Sequence, residues 1–234
     1  MAGDLSPVYA CMRNPSLVDF PGRMAAVFFF TGCNFRCGFC HNAPLLATAK
    51  AGYTWERLDE LCAGFRRQWV EAVVLTGGEP TLAPGLAGAV RFFRQRGFDV
   101  KLDSNGSRPD VLASLLDQVH FVAMDVKCSL PRYPEFVGFA DTEAVARSIR
   151  LLLGSSTPYE FRTTIIEAVH DDAEMQAIGE TVRGASSYAV QAFIPRDDLP
   201  DPALRTTPRT RPQALQRAAR VLRSYVGRVE IRGG

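Results

Sequence analysis

MAAVFFFTGCNFRCGFCHN, residues 24–42, runs an apolar stretch straight into three cysteines at 33, 37 and 40. The apolar half predicts a strand buried on both faces, Ala25 to Phe30, with the cysteines beyond its C-terminal end. A disulfide needs two thiols, and a closed tetrahedral metal site usually takes four ligands. Three thiolates instead suit a [4Fe-4S] cluster, holding three irons and leaving the fourth open to an external ligand. Zinc with His41 as fourth ligand is the competing reading, but His41 follows Cys40 directly and cannot easily complete the same tetrahedron.

Outward from this strand, short apolar runs alternate with helical patterns, the sign of β/α units around a parallel sheet. Further strands are expected at Ala72 to Leu75, Asp99 to Leu102, Phe121 to Met124, Glu160 to Ile166 and Tyr188 to Phe193, with a short last one at Val229 to Arg232. Helices are expected near Trp55 to Gln68, Leu86 to Arg96, Asp110 to Leu116, Thr142 to Leu153, Ala173 to Arg183 and Pro212 to Val226. Pro109 and Pro212 suit helix starts, and Gly97 and Gly154 helix stops. The pattern predicts an α/β fold, a partial (β/α)6 barrel, with a doubly wound sheet as the alternative. Residues 194–212, IPRDDLPDPALRTTPRTRP, read as a loop because their prolines disfavour regular structure.

The expected organisation is a single domain over residues 1–234: an N-terminal segment 1–23, the β/α units, the Pro-rich loop 194–212, and a closing helix and short strand in 213–234. At 234 residues and 47% hydrophobic content the chain can bury a large core. A net charge of +2, with the basic residues spread along the chain, gives no reason to expect nucleic acid as a partner. No basic segment leading into a long apolar one stands at the N-terminus, and Met24 to Phe30 is too short to span a bilayer. A cytoplasmic protein with no membrane partner follows as the expectation, its six cysteines reduced or used as ligands.

In parallel β/α barrels, functional loops follow the C-terminal ends of strands. TGGEP (76–80) follows the second expected strand, DSNG (103–106) the third and DVK (125–127) the fourth; Arg162 lies in the fifth and Gln191 near the end of the sixth. TGGEP places two glycines where backbone must approach a ligand, then a carboxylate. An ordinary turn and surface ion pairs are the plain alternatives for each of these residues taken singly.

The C-x3-C-x2-C spacing with an aromatic before the last cysteine resembles the signature of the radical S-adenosylmethionine (SAM) enzymes, and TGGEP resembles their GGEP motif. That resemblance implies a radical SAM type of partial barrel, with Cys33, Cys37 and Cys40 as cluster ligands. SAM's amine and carboxylate would chelate the open iron, Phe39 would lie by the adenine, and Gly77, Gly78 and Glu79 would hold the ammonium. CHN (40–42), DSNG, DVK and RTT (162–164) are together similar to the glycyl-radical-enzyme activating enzymes. By that likeness Asp103, Ser104 and Asn105 border SAM's methionine moiety, and Asp125 joins Asp103 and Ser104 around a monovalent cation beside its carboxylate. Lys127 and Arg162 face carboxylate or ribose groups, and Gln191 is a ribose or adenine contact.

NPSLVDFPG (14–22) and the closing EIRGG resemble the activating proteins of anaerobic ribonucleoside-triphosphate reductase, which places Asp19 and Pro21-Gly22 at the barrel mouth where a partner's glycine loop enters. DSNG departs from the family's DTNG but keeps the hydroxyl. The resemblance implies reductive cleavage of SAM to a 5′-deoxyadenosyl radical that takes hydrogen from a partner's glycine, with a flavodoxin or ferredoxin as electron donor. A radical SAM enzyme acting on a small molecule, such as a pterin-like precursor, is the first rival; an iron-sulfur electron carrier without substrate is the second. Cys11, Cys62 and Cys128 fit no cluster spacing, with Cys62 expected inside a helix. His120 and His170 read as structural.

Overall fold

The computed structural model describes residues 5–47 and 51–233. The start of the N-terminal segment, residues 1–4, and the last glycine of EIRGG lie outside them. Cα proximity divides the chain into two compact units that interleave in sequence. The first comprises Met1–Cys33, Pro44–Ser104 and Asp110–Val122; the second comprises Asn34–Ala43, Asn105–Pro109 and Ala123–Gly234.

The first unit opens with β1 (Ala10–Cys11), β2 (Ser16–Phe20) and β3 (Arg23–Phe30), followed by α1 (Trp55–Arg67), β4 (Ala72–Gly77), α2 (Leu86–Gln95) and β5 (Asp99–Ser104). The short α3 (Pro109–Ala113) and β6 (Phe121–Asp125) cross into the second unit. β3, β4 and β5 pair in parallel, with Ala25 opposite Ala72 and Ala72 opposite Asp99. Side chains alternate across β3. Phe28 packs towards the helices against Phe93, ring centroids 4.6 Å apart, and edge-on against Phe65. Ala25 and Val27 form the opposite face with Ala72, Val74 and Phe20. Burying a side chain the size of Phe28 contributes about 1.5–3 kcal/mol. Thr54 caps α1, its hydroxyl accepting the Arg57 N–H at 3.1 Å.

In the second unit the end of β6 is followed by α4 (Tyr133–Phe136), α5 (Thr142–Leu153), β7 (Tyr159–Ile165), α6 (Asp172–Thr181), β8 (Ser187–Ala192), α7 (Pro202–Arg205), α8 (Pro212–Leu222) and β9 (Arg228–Arg232). β7, β8 and β9 are parallel, with Thr164 opposite Gln191 and Gln191 opposite Arg232. Asp141 and Asp171 cap α5 and α6 through their carboxylates.

In each unit the parallel strands add in chain order. A doubly wound sheet requires a reversal of strand order, and neither unit has one. The fold is therefore α/β with successive β/α units, as a partial (β/α)6 barrel requires.

Three features differ from the sequence expectation. β1 and β2 add antiparallel strands beside β3. β2 is short and irregular, the Ser16 hydroxyl accepting the Val18 and Asp19 N–H groups at 3.2 Å, so it lacks the alternation that marks a strand. β4, β5 and β6 each run one or two residues further than their apolar content suggested, so Gly77, Asp103, Ser104 and Asp125 sit on strand ends rather than in loops. Within the Pro-rich tract, Pro202–Arg205 forms a turn of helix, because Pro202 suits the first helical position and Asp201 accepts the Ala203 N–H at 2.9 Å.

Candidate active site

Each unit carries part of the expected site. In the first, β3 ends at Phe30 and the chain turns at Gly32 towards Cys33. The TGGEP turn is fastened to this exit: Phe30 O accepts the Gly78 N–H at 2.9 Å, and Gly32 O accepts the Glu79 N–H at 2.7 Å. Any side chain at these glycines would collide with backbone. A Cβ at Gly77 would lie 2.4 Å from Phe30 O, and one at Gly78 would lie 2.1 Å from Gly32 O.

Glu79 is buried, 1% exposed, and its Oε1 accepts from Thr81 N at 3.1 Å, Thr81 Oγ1 at 2.5 Å and Ser104 Oγ at 3.0 Å. Thus Glu79 and Ser104, predicted from separate motifs, meet. Asp103 is ion-paired with Lys101, a lysine only 1% exposed on β5. Sequence reading missed Lys101; a lysine two residues before Asp103 in an otherwise apolar strand was the available signal.

The second unit holds Cys37, Phe39 and Cys40. Asp125, at the end of β6, accepts from Lys127 Nζ at 2.9 Å and from Arg162 Nε at 3.0 Å. Burial alone would push the Asp125 carboxyl up, but these two cations outweigh it and hold it at about 2. Burial likewise opposes the Lys127 charge, and Asp125 more than restores it. The Lys127 ammonium stands 5.7 Å from the Phe39 ring centroid, and Phe39 stacks on Phe136 at 5.3 Å. Burial raises the Cys40 thiol, opposed by a hydrogen bond from the Asn42 backbone and by the Lys127 charge. Asn105 donates to Asn34 Oδ1 at 3.0 Å, bracing the first turn of the cysteine loop. His41 bonds the carbonyl of Ile194 at 2.9 Å. Gln191 lies in β8 between Thr164 and Arg232.

Asp19 corrects an expectation. β2 pairs with the beginning of β3, Phe20 opposite Arg23, so Asp19 lies at the N-terminal end of the strand whose other end leads to Cys33. The antiparallel hairpin at Pro21-Gly22, with Gly22 at φ 72°, places it there rather than at the mouth.

His120 and His170 are both engaged by backbone. His120 Nδ1 accepts the Val100 N–H at 3.0 Å and its Nε2 lies 3.1 Å from Asp99. His170 is buried, its ring nitrogens engaged by Ile166 and Lys127 backbone. Cys62 is a buried residue of α1, as expected, and Cys128 is also buried.

The donor set fits an iron-sulfur cluster. None of the three cysteines is in a disulfide, all lie in a loop without helix or strand, and Cys33 and Cys40 are partly exposed. Among the described residues no three His, Cys, Asp or Glu side chains are grouped to hold a metal ion. A cluster offers its ligands separate corners, so its thiolates need not converge on one point.

The sequence profile of the Radical SAM superfamily matches residues 27–181. This chain belongs to the radical SAM superfamily. As a radical SAM enzyme it uses a [4Fe-4S] cluster and SAM. It is 32% identical over 225 residues to the Methanocaldococcus jannaschii protein named "Putative glycyl-radical enzyme activating enzyme MJ1227", covering 93% of this chain and 92% of that one. It is 29% identical over 144 residues to the Thermococcus kodakarensis "Probable GTP 3',8-cyclase", covering 59% of this chain and 46% of the cyclase. Among solved structures, a domain of pyruvate-formate lyase-activating enzyme from Bacteroides vulgatus shares the fold, with a TM-score of 0.54 and 20% identity over 70% of this radical SAM enzyme and 99% of that domain. No helix among the described residues is long and apolar enough to cross a membrane.

Proposed function

We propose that this radical SAM enzyme generates a glycyl radical on a partner enzyme, and that the partner is an anaerobic ribonucleoside-triphosphate reductase. The observation that carries the first part is the end-to-end likeness to the M. jannaschii protein, whose name describes a glycyl-radical enzyme activating enzyme. The SLVDFPG and EIRGG segments support the reductase as partner. Such activation requires a flexible glycine segment from the partner and a low-potential donor such as flavodoxin or ferredoxin. We assign the whole chain to one radical SAM domain acting in the cytoplasm.

Cys33, Cys37 and Cys40 hold the cluster, which when bound and reduced supplies the electron that cleaves SAM. Every other task falls to the chain. The backbone of Gly77 and Gly78 lets the ligand approach where a Cβ would block it. Glu79 and Ser104 brace that approach through their shared hydrogen bond. Asn105 holds the cysteine loop through Asn34 while bordering the methionine moiety. Asp125 gathers Lys127 and Arg162 so that both present N–H donors to SAM's carboxylate or ribose. Phe39 offers a ring face to the adenine, and Gln191 an amide to ribose or base. Asp125 is a candidate for a monovalent cation beside the SAM carboxylate.

Conversion of a small molecule is the second reading, supported by the partial likeness to a GTP 3',8-cyclase. One experiment separates them. Anaerobically reconstituted protein is incubated with SAM, reductant and each candidate partner, then examined by electron paramagnetic resonance and for 5′-deoxyadenosine. A glycyl signal on the reductase is expected. A signal on a lyase alone would refute the partner, and SAM cleavage with no signal on any partner would favour the small-molecule reading.

A further inference from the structure

After β6 ends at Asp125, residues 126–129 leave the sheet, yet their backbone is held closely. Val126 N–H bonds Arg162 O, on β7, at 2.8 Å. From there side chains take over. Thr163 Oγ1 donates to Val126 O at 2.6 Å and lies 2.5 Å from the Tyr188 hydroxyl. Lys127 N–H donates to the Tyr133 hydroxyl at 3.0 Å, and Lys127 O lies 3.0 Å from His170 Nε2. Ser129 N–H donates to Glu174 at 2.6 Å. His170 Nδ1 lies 3.0 Å from the Ile166 nitrogen and 3.2 Å from its carbonyl oxygen; when Nδ1 accepts the Ile166 N–H, the neutral ring carries its proton on Nε2, where it faces the Lys127 carbonyl.

Tyr133 is fully buried and His170 is 1% exposed. Both backbone groups of Lys127 are therefore bonded to buried side chains from α4 and from the turn before α6. The same two residues reach the cysteine loop: Phe136 packs edge-on against His170 at 5.8 Å and stacks on Phe39, while Tyr133 packs edge-on against Phe35 at 5.8 Å.

We infer that Tyr133 and His170 are positioning residues for SAM binding, acting through Lys127: they clamp its peptide groups so that its ammonium is fixed between Asp125 and the Phe39 ring. A lysine side chain has several rotatable bonds, and only a fixed backbone delivers its charge to one place. The inference rests on the assignment of Lys127 to SAM made above.

The test measures SAM dissociation constants on the reconstituted holoprotein by equilibrium dialysis, with iron content and thermal midpoint recorded for each variant. Tyr133→Phe and His170→Leu should each weaken SAM binding roughly five- to tenfold, the usual result of stripping a partner from a buried polar group. His170→Gln, whose amide can donate to the Lys127 carbonyl, should return affinity to within about twofold of the parent. In a Lys127→Ala background, Tyr133→Phe should cost less than about twofold more, since its effect passes through the missing ammonium. Iron content should be unchanged throughout. Parental affinity in Tyr133→Phe, alongside weakened binding in Lys127→Ala, would overturn the inference alone. An undiminished Tyr133→Phe effect in the Lys127→Ala background would overturn it equally. Parental affinity in Lys127→Ala would overturn the assignment of Lys127 to SAM, and the inference with it. Should His170→Leu fail to fold, Tyr133→Phe and its cycle with Lys127 decide the matter.

Discussion

Ser104 donates its hydroxyl to Glu79 Oε1 across 3.0 Å, joining the end of β5 to the turn that follows β4. With Thr81 supplying two more donors to the same oxygen, this carboxylate organises the turn from inside. Glu79→Ala strips three donors of their acceptor and should lower the free energy of unfolding by roughly 2–4 kcal/mol, while Glu79→Gln, which keeps an acceptor oxygen, should cost about 1 kcal/mol. Chemical denaturation of both variants provides the check. An alanine variant as stable as the parent would show that the network contributes nothing.

Gly78 sits where a Cβ would meet Gly32 O at 2.1 Å, and backbone cannot yield as a side chain can. Gly78→Ala should therefore part the TGGEP turn from the start of the cysteine loop and lose roughly 2–4 kcal/mol of stability. Gly64, in α1, has only the end of the Arg67 side chain, at 3.9 Å, near its virtual Cβ. Gly64→Ala should be neutral or slightly stabilising, by up to about 1 kcal/mol. Thermal unfolding distinguishes the pair, and equal effects would contradict the steric argument.

Replacing any of Cys33, Cys37 and Cys40 with Ala should abolish SAM cleavage and sharply reduce bound iron after reconstitution. Cys62→Ala and Cys128→Ala should retain the parental iron content, since those thiols are buried away from any cluster spacing. Iron and sulfide analysis measures both. A Cys37→Ala protein with full iron and activity would remove Cys37 from the ligand set.

His170 gives a pH dependence with a definite sign. Burial lowers its pKa below the usual 6.5, outweighing the support of the Lys127 and Ile166 backbone and of Glu174, while Arg132 adds to the lowering. The unfolded chain then takes up the proton first as pH falls. The contribution of neutral His170 is fully present above about pH 6.5 and is lost progressively as pH drops towards the lowered folded value, at no more than about 1.4 kcal/mol per pH unit. His170→Gln should flatten that part of the stability profile. Urea titrations between pH 7.5 and 5 test it, and identical slopes in parent and variant would exclude His170 as the source.

Much of the architecture was legible in the chain. The buried parallel strands announced themselves as apolar runs, and their helices by periodicity, because both signals depend only on which face of a local element meets the core. The strand ends were less legible: Gly77, Asp103 and Asp125 continue their ladders although polar or small, since pairing depends on the neighbouring strand and not on the residue's own hydropathy. β2 was missed because it is short and irregular and lacks the alternation that marks a strand.

The sequence by itself determined the cysteine spacing, the glycines of the TGGEP turn and the succession of β/α units, because each is fixed by covalent order and by short-range sterics. Only the tertiary structure decided that Lys101 is buried against Asp103, that Ser104 donates a hydrogen bond to Glu79, that Asp19 lies at the far end of β3 from Cys33, and that Tyr133 and His170 grip Lys127. Glu79 and Ser104 are separated by 25 residues in the chain, and Lys127 and His170 by 43. Hydrogen bonds over such intervals exist only once particular strands adjoin, and no local pattern of hydropathy encodes which side chain will stand within 3 Å of which carbonyl.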